Sequence, residues 1–235
     1  MVPALIGVVR FDDALPDLLF ETISAMAISL SEGPNPKGTF WQYADKPART
    51  SIAAVISRLS QLIPLSAAIV GVEWWVRLKP VGMPMALHFD KDEALVKRTG
   101  QICHPAYSGI LYLTDVGGPT VIIDQSVSKD GRRLFPPESD RGVLSQPKRN
   151  TFLAFPGHLR HGVVADLALT QNATLGAKRG SLLMNWWMEQ PHLPNCGNPP
   201  LPALAPWVDI DGPHIPRMSP LAAISMRDLP GISSD

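Results

Sequence analysis

A succession of short strand-like runs, beginning just after Ala67, is the feature that most constrains the fold. The runs are rich in β-branched and aromatic residues, and Pro, Gly or Asp residues separate one run from the next. Strands at this spacing predict a β-sandwich or barrel that encloses one hydrophobic core. The predicted strands are Ile69–Leu78, Met85–Asp90, Tyr107–Thr114, Pro119–Asp124, Asn150–Phe155, Gly162–Ala165 and Arg179–Met188.

Two helices are predicted before these strands. Apolar residues recur at steps of three and four across Leu15–Leu30, and Gly33 with Pro34 ends that segment. A second helix is expected over Arg49–Leu62, with Pro64 closing it. We expect both helices to pack on the outside of the β structure, because each has one apolar face to cover.

The connections and the end of the chain are also informative. The turn at Asp115–Gly118 is expected to join two strands as a hairpin. From Gln190 onward the chain is crowded with proline, which favours an extended tail along the surface. We therefore predict one domain, mainly β with flanking helices, with a helical part at 1–66, a β core at 67–189 and a proline-rich extension at 190–235.

Composition narrows the class of function. The 235 residues carry 21 Lys and Arg against 21 Asp and Glu, so neither nucleic acid nor an anionic membrane is an expected partner. No apolar stretch is long enough to span a bilayer, and the N-terminus lacks the basic region of a signal peptide. The two cysteines form no C-x-x-C pair, which suits a reducing, cytoplasmic location. Composition does not indicate an oligomeric state.

The first chemical motif is His88-Phe89-Asp90, at the end of a predicted strand. Residues two apart on a strand point to the same side, so an imidazole and a carboxylate would converge there. An H-x-D pair by itself is common, and a surface histidine beside a turn-forming aspartate is the simpler interpretation. A second histidine is needed to make the pair a metal site.

That histidine lies in the segment from Asn150 to Val163, where an apolar strand runs into a Pro-Gly turn. Two histidines and one carboxylate make the facial set that holds Fe(II) and leaves positions for substrate and oxygen. His161 opens the next strand and can be aimed inward by the sheet. His158 is the alternative ligand, but it lies in the turn itself, so His161 is preferred.

The third motif is Arg179-Gly-Ser181, on the last predicted strand. Arg179 and Ser181 share one strand face, so a guanidinium and a hydroxyl can bind one carboxylate together. Asn185 falls on the same face. Leu182, Met184 and Trp186 would pack on the other face. An inward arginine on a strand more often makes a structural ion pair, which is the competing interpretation.

Together these residues resemble the Fe(II)/2-oxoglutarate-dependent dioxygenases, in their prolyl-4-hydroxylase-like branch. The similarity extends over Trp74–Trp187 and includes H-x-D, a histidine after a Phe-Pro-Gly turn, R-x-S, and the segment Gly109–Gly118. The resemblance implies a double-stranded β-helix (a cupin-like jelly roll). It also implies Fe(II) on His88, Asp90 and His161, O2 as oxidant, and 2-oxoglutarate bound by Arg179, Ser181 and Tyr112.

The implied reaction is oxidation, by default hydroxylation, of an unactivated C–H bond, with 2-oxoglutarate converted to succinate and CO2. The expected partner is a small molecule, an amino acid or a peptide. For Tyr112 a strand tyrosine buried against the helices is an equal alternative. For the chain, the alternatives are a cupin-like metalloenzyme that does not use 2-oxoglutarate and a non-enzymatic β-barrel binding module.

The sequence also departs from the family pattern. The collagen-type prolyl hydroxylases use a lysine for the distant carboxylate of 2-oxoglutarate, but Lys178 would point to the opposite strand face from Arg179. The segment from Asp166 to Ala177 is long for a connector, and with Asp92–Tyr107 it is a candidate lid over the site. The paired tryptophans, Trp74-Trp75 and Trp186-Trp187, are expected in the core, with a lining position for one of them as the alternative.

Overall fold

Two antiparallel β-sheets face each other in the computed structural model, which describes residues 5–32, 38–65, 68–165, 176–192 and 213–226. This arrangement confirms the predicted double-stranded β-helix with helices on its outside. In chain order the elements are β1 (Val9–Asp12), α1 (Asp17–Glu32), β2 (Phe40–Tyr43), α2 (Ser51–Ser60), β3 (Gly71–Pro80), β4 (Met85–His88), α3 (Glu93–Thr99), β5 (Tyr107–Tyr112), β6 (Thr120–Ile123), β7 (Ser126–Val127), β8 (Leu134–Phe135), β9 (Arg141–Ser145), β10 (Thr151–Pro156), β11 (Arg160–Val163), β12 (Lys178–Trp187), β13 (Arg217–Met218) and β14 (Ala222–Ser225).

The larger sheet has the strand order β13-β1-β10-β5-β12-β3-β2, and the smaller sheet has the order β14-β9-β6-β11-β4. A separate two-stranded ribbon pairs β7 with β8. Strands β3 and β12 pair over their full lengths, from Gly71 against Trp187 to Pro80 against Lys178. This long pair is the frame on which one wall of the site is built.

Alternation along the strands sorts the side chains between two cores. On β12, Leu182, Met184 and Trp186 are buried on the outer face of the larger sheet, where α1 and α2 cover them. The opposite face of that sheet packs against the smaller sheet through residues such as Ile110 and Phe155. The predicted packing of Leu182, Met184 and Trp186 on one face of β12, and the outer position of both helices, are therefore confirmed.

Local chemistry fixes the helix ends. Thr50 caps α2, its hydroxyl accepting a hydrogen bond from Ala53 N at 3.3 Å. Asp92 caps α3, its carboxylate accepting from Leu95 N at 2.8 Å, and Gly100 ends that helix in the left-handed conformation. The sequence had placed α3 within an irregular segment. Among the described residues, no helix has both the length and the apolar character needed to cross a membrane.

Two expectations about connections are corrected. The turn at Asp115–Gly118 does not close a hairpin, because β5 and β6 belong to different sheets and the turn carries the chain from one to the other. The tail is more than an extended wrap: β13 pairs with β1 and β14 pairs with β9, so it supplies an edge strand to each sheet. The expectations for residues 193–212 and for most of the predicted lid, 166–175, lie outside the described residues.

Candidate active site

Three side chains named by the sequence motifs meet between the sheets. His88 ends β4 and lies directly opposite His161 on the neighbouring strand β11, with ring centroids 4.3 Å apart. Asp90 follows two residues after His88, and its carboxylate lies 3.8 Å from His88 Nε2 and 3.6 Å from His161 Nε2. One ligand atom from each residue falls within 4.8 Å of the other two, close enough for a single metal ion.

Hydrogen bonds orient both imidazoles toward that point. His88 Nδ1 lies 2.9 Å from Ala86 O, and His161 Nδ1 lies 3.0 Å from Leu159 O. Since a carbonyl only accepts, each Nδ1 carries the proton and each Nε2 keeps a free lone pair. The donor set, two imidazole nitrogens and a carboxylate with open positions beside them, fits Fe(II).

Burial favours the metal-binding form of His161. Removal from water, with the neighbouring imidazole of His88 adding to it, lowers the pKa of His161 despite the opposing charge of Asp90. The ring is therefore neutral at pH 7, as a metal ligand must be. His158, the rival from the sequence, is exposed in the turn and is not part of the cluster.

The larger sheet holds Asp90 in place. Ser108 Oγ on β5 donates to Asp90 Oδ2 at 2.7 Å. The Asn185 amide on β12 satisfies its surroundings when its nitrogen also faces Asp90 Oδ2, at 3.1 Å. His104 Nδ1 lies 2.7 Å from the backbone oxygen of Asp90, so its proton fixes the main chain of this loop. The sequence motifs missed Ser108 and His104, although strand alternation back from Tyr112 points Ser108 inward.

Side chains on the inner face of the larger sheet form rows across paired strands, spaced roughly 7 Å apart by the rise of two residues. The first row has three polar side chains and one phenylalanine and lies at the metal end, the second is apolar, the third has one cation, and the fourth has two. The first row contains Glu73, Asn185, Ser108 and Phe155; the second Trp75, Leu183, Ile110 and Leu153; the third Arg77, Ser181, Tyr112 and Thr151; the fourth Lys79 and Arg179.

Arg179 is buried at the cationic end and is held by neutral groups. Its Nη1 donates to Ser181 Oγ at 3.0 Å and its Nη2 to Thr120 Oγ1 at 2.9 Å, while the guanidinium carbon lies 5.3 Å from the centre of the Tyr112 ring. Burial lowers the pKa of Arg179, but an arginine remains charged at neutral pH. Its Nε has no hydrogen-bond partner in the described part of the chain. A buried cation surrounded by neutral donors and acceptors is suited to binding an anion.

Tyr112 supports this arginine from beneath. Its side chain is fully buried, and its hydroxyl lies 2.8 Å from Thr120 Oγ1 and 3.2 Å from Ser145 O. Ser145 O can only accept, whereas the Thr120 hydroxyl can also donate, so the Tyr112 hydroxyl has partners for both its hydrogen and its oxygen. The side chain lies between the two sheets and not against the helices, and direct donation from Tyr112 to 2-oxoglutarate stays a prediction.

The Gly117-Gly118 pair leaves room for the arginine and for the turn between the sheets. A Cβ on Gly117, whose φ is +104°, would lie 2.7 Å from Cβ of Arg179. A Cβ on Gly118 would lie 1.8 Å from Val164 O. Both positions therefore need glycine, the first for its backbone conformation as well as for space.

One cavity of about 330 Å³ connects the histidine–carboxylate cluster with Arg179. Trp75 lines it, while Trp74, Trp186 and Trp187 are buried in the protein. The strand β3 contributes alternate residues to its wall, including Arg77 and Glu73, of which the sequence motifs did not single out Glu73. Removal from water, to which the charge of Asp90 adds, raises the pKa of Glu73 to about 7, although Trp187 Nε1 donates to its carboxylate at 3.0 Å.

Comparisons with known proteins give matches among solved structures only. No known family profile matches the chain, and no curated protein matches it by sequence. Among solved structures, it is similar to a Pseudomonas putida prolyl-4-hydroxylase (17% identity, 80% of this chain and 88% of that one, TM-score 0.48). It is also similar to a 2OG-Fe(II) oxygenase family oxidoreductase from Burkholderia pseudomallei (15%, 79% and 86%, 0.45) and to HygX from Streptomyces hygroscopicus, solved with nickel and 2-oxoglutarate bound (13%, 77% and 81%, 0.45).

Proposed function

We propose that this chain is an Fe(II)- and 2-oxoglutarate-dependent dioxygenase that oxidises, by default hydroxylates, a C–H bond of a small molecule, an amino acid or a peptide. One observation carries the proposal: His88, Asp90 and His161 share a single cavity with the buried cation of Arg179. A metal centre alone has no need of that guanidinium, whereas a dicarboxylate that bridges the metal and the arginine uses both ends of the cavity.

Each residue has a defined task in this scheme. His88 and His161 would present Nε2 lone pairs to Fe(II), and Asp90 would supply the charged oxygen, held by Ser108 and Asn185. Arg179 and Ser181 would bind the distant carboxylate of 2-oxoglutarate through charge-assisted hydrogen bonds. When bound, Fe(II) supplies the activation of O2 that couples conversion of 2-oxoglutarate to succinate and CO2 with oxidation of the substrate.

The walls of the cavity would set the orientation of a bound dicarboxylate. Leu183 and Ile110 separate the metal end from the arginine end with apolar surface. Only the 2-oxo acid end of 2-oxoglutarate can chelate a metal, so that end would lie at the histidines and the other carboxylate at Arg179. Cytoplasmic location is retained as a prediction from cysteine usage.

The test is formation of succinate from 2-oxoglutarate by purified protein with Fe(II), which proceeds slowly even without the substrate to be oxidised. We expect Fe(II)-dependent succinate from the wild type and from His158→Ala, and none from His161→Ala. Of these two histidines, His161 is the one that belongs to the metal cluster. Activity in His161→Ala with loss in His158→Ala would show that the wrong histidine is assigned. No succinate from a wild type that binds metal would favour an enzyme that does not use 2-oxoglutarate.

A further inference from the structure

The lining of the cavity carries positive charges that one bound dicarboxylate would not neutralise. Its charged lining residues beyond Asp90 and Arg179 are Glu73, Arg77, Lys79, Lys91 and Glu93. Lys91 pairs with Glu93, with Nζ and Oε1 3.1 Å apart. Glu73 lies two rows from Arg77, roughly 14 Å along β3, so with Asp90 on the metal and Arg179 on 2-oxoglutarate no lining carboxylate stands beside the cations of β3.

Arg77 is the more confined of these cations. It is partly buried, and burial lowers the pKa of its guanidinium, although the group stays charged at pH 7. The hydrogen bond seen for it runs from Nη1 to the backbone oxygen of Val76 at 3.1 Å. No carboxylate in the described part of the chain forms an ion pair with it. A half-buried cation without a counter-charge is costly unless a ligand supplies one.

The position of Arg77 separates it from the cosubstrate arginine. Both lie near the same end of the cavity, but the partners of Arg179 are Tyr112 and Thr120, on the β5 and β6 side of strand β12. Arg77 lies on β3, on the other side of β12. Since neighbouring strands are about 4.8 Å apart, the backbones of Arg77 and Tyr112 are roughly 10 Å apart across the sheet. The Arg179 guanidinium is thus directed toward Thr120 and Tyr112, whereas Arg77 lies on β3, beside Ser181.

Trp75 extends the Arg77 side toward the metal. It precedes Arg77 by two residues on the same face of β3, and it lines the cavity beside Leu183, its neighbour on strand β12. The β3 side of the cavity thus offers an aromatic surface next to a cation. This combination suits a molecule with an apolar body and an oxyanion.

We propose that Arg77 binds a carboxylate or phosphate group of the molecule that is oxidised, with Trp75 packing against the apolar part of that molecule. This inference rests on the proposed function, because it assigns Arg179 to 2-oxoglutarate and leaves Arg77 for the second substrate. Arg77 is then a specificity-determining residue, and neutral analogues of the substrate bind poorly.

Matched probes test this assignment by calorimetry on protein loaded with a redox-inert divalent metal and saturated with 2-oxoglutarate. The probes are benzoate against benzamide and phenyl phosphate against phenol, which differ within each pair in the anionic group. Inorganic phosphate tests the oxyanion without an apolar body. We expect the wild type to bind at least one anionic member tenfold or more tightly than its neutral counterpart.

The Arg77→Gln variant should lose that preference while its Kd for 2-oxoglutarate stays within twofold of the wild-type value. The matched control is Arg132→Gln, which changes an exposed arginine outside the cavity and should keep the wild-type preference. Equal binding of anionic and neutral probes by the wild type, or an unchanged preference in Arg77→Gln, would overturn the assignment. So would a tenfold weaker Kd for 2-oxoglutarate in Arg77→Gln, since Arg77 would then belong to the cosubstrate site.

The same titrations separate this inference from the proposed function. If the wild type binds no 2-oxoglutarate, the proposed function fails on that measurement alone. The probe pairs, titrated into the metal-loaded protein without 2-oxoglutarate, then still report whether Arg77 selects anions.

Discussion

Arg179 shows how a buried charge is held ready for a ligand. Two hydroxyls accept from its guanidinium and an aromatic ring lies beneath it, but no carboxylate in the described part of the chain pairs with it. A structural arginine would have its counter-charge within the protein. The sequence offered both interpretations, and the neutral surroundings favour the ligand-binding one.

Replacement of this arginine should weaken the binding of the cosubstrate more than the binding of the metal. Loss of one buried charge-assisted partner costs about 2–5 kcal/mol, so Arg179→Ala should raise the apparent Kd for 2-oxoglutarate by about two orders of magnitude or more. Ser181→Ala should have a smaller effect, because the guanidinium remains. Titration of 2-oxoglutarate into metal-loaded protein measures both. Normal binding by Arg179→Ala would move the assignment to Arg77, because Lys178, the other candidate from the sequence, is exposed and does not line the cavity.

Glu73 makes stability depend on pH in an unusual direction. Its pKa rises from the ordinary 4.5 to about 7 in the folded protein, so the folded state holds a proton that the unfolded chain releases between these values. Stability linked to Glu73 is therefore fully present below about pH 4.5, falls as the pH rises to 7, and is constant above it.

Glu73→Gln should remove this dependence, since an amide keeps an oxygen for Trp187 Nε1 and has no proton to lose. Denaturant unfolding of the metal-free proteins at pH 5 and pH 8 is the measurement. The free energy of unfolding of the variant, relative to that of the wild type, should be higher at pH 8 than at pH 5 by up to about 2 kcal/mol. An equal difference at both pH values would mean that Glu73 has an ordinary pKa.

At the scale of elements, the turn between β5 and β6 determines whether Arg179 can lie where it does. Gly117 in this turn has a positive φ and faces the aliphatic part of Arg179. Gly117→Ala should therefore displace the arginine and weaken the binding of 2-oxoglutarate about tenfold. It should also lower the stability of the protein by about 1 kcal/mol through backbone strain.

Gly100→Ala is the matched control for this change. Gly100 also has a positive φ, of +71°, but a Cβ there would meet nothing within 4 Å. It should lose a similar amount of stability to backbone strain and leave the Kd for 2-oxoglutarate unchanged. Equal effects of the two variants on that Kd would show that strain, and not contact with Arg179, is responsible.

The elements that the sequence predicted correctly are those with a clear period. The seven predicted strands correspond to strands β3, β4, β5, β6, β10, β11 and β12, and the two predicted helices to α1 and α2. Strands β1, β2 and β9 were missed, although β4, β6 and β11 are equally short. The first two lie in the part of the chain that was predicted to be helical, and β9 has only two apolar residues among glycine and polar residues. The turn at Asp115–Gly118 was taken for a hairpin because turn chemistry shows where a chain reverses, not which sheet it enters next.

For the whole molecule, long-range pairing decides what local patterns cannot. The tail reaches the edges of both sheets through β13 and β14, and nothing in its proline-rich composition indicates those partners. The site follows the same rule. His88, Asp90, His161, Arg179 and Ser181 could be named from short motifs, whereas Thr120 and Glu73 acquire their roles only when separate strands come together.

The measurement that tests this account most directly is a crystal structure of the protein with a redox-inert divalent metal and 2-oxoglutarate. We predict one metal ion bonded to His88, Asp90 and His161, with the far carboxylate of 2-oxoglutarate on Arg179 and Ser181. Under that arrangement the Arg77 side of the cavity stays open for the second substrate. A metal ion bound elsewhere, or 2-oxoglutarate with its far carboxylate on Arg77, would contradict the account.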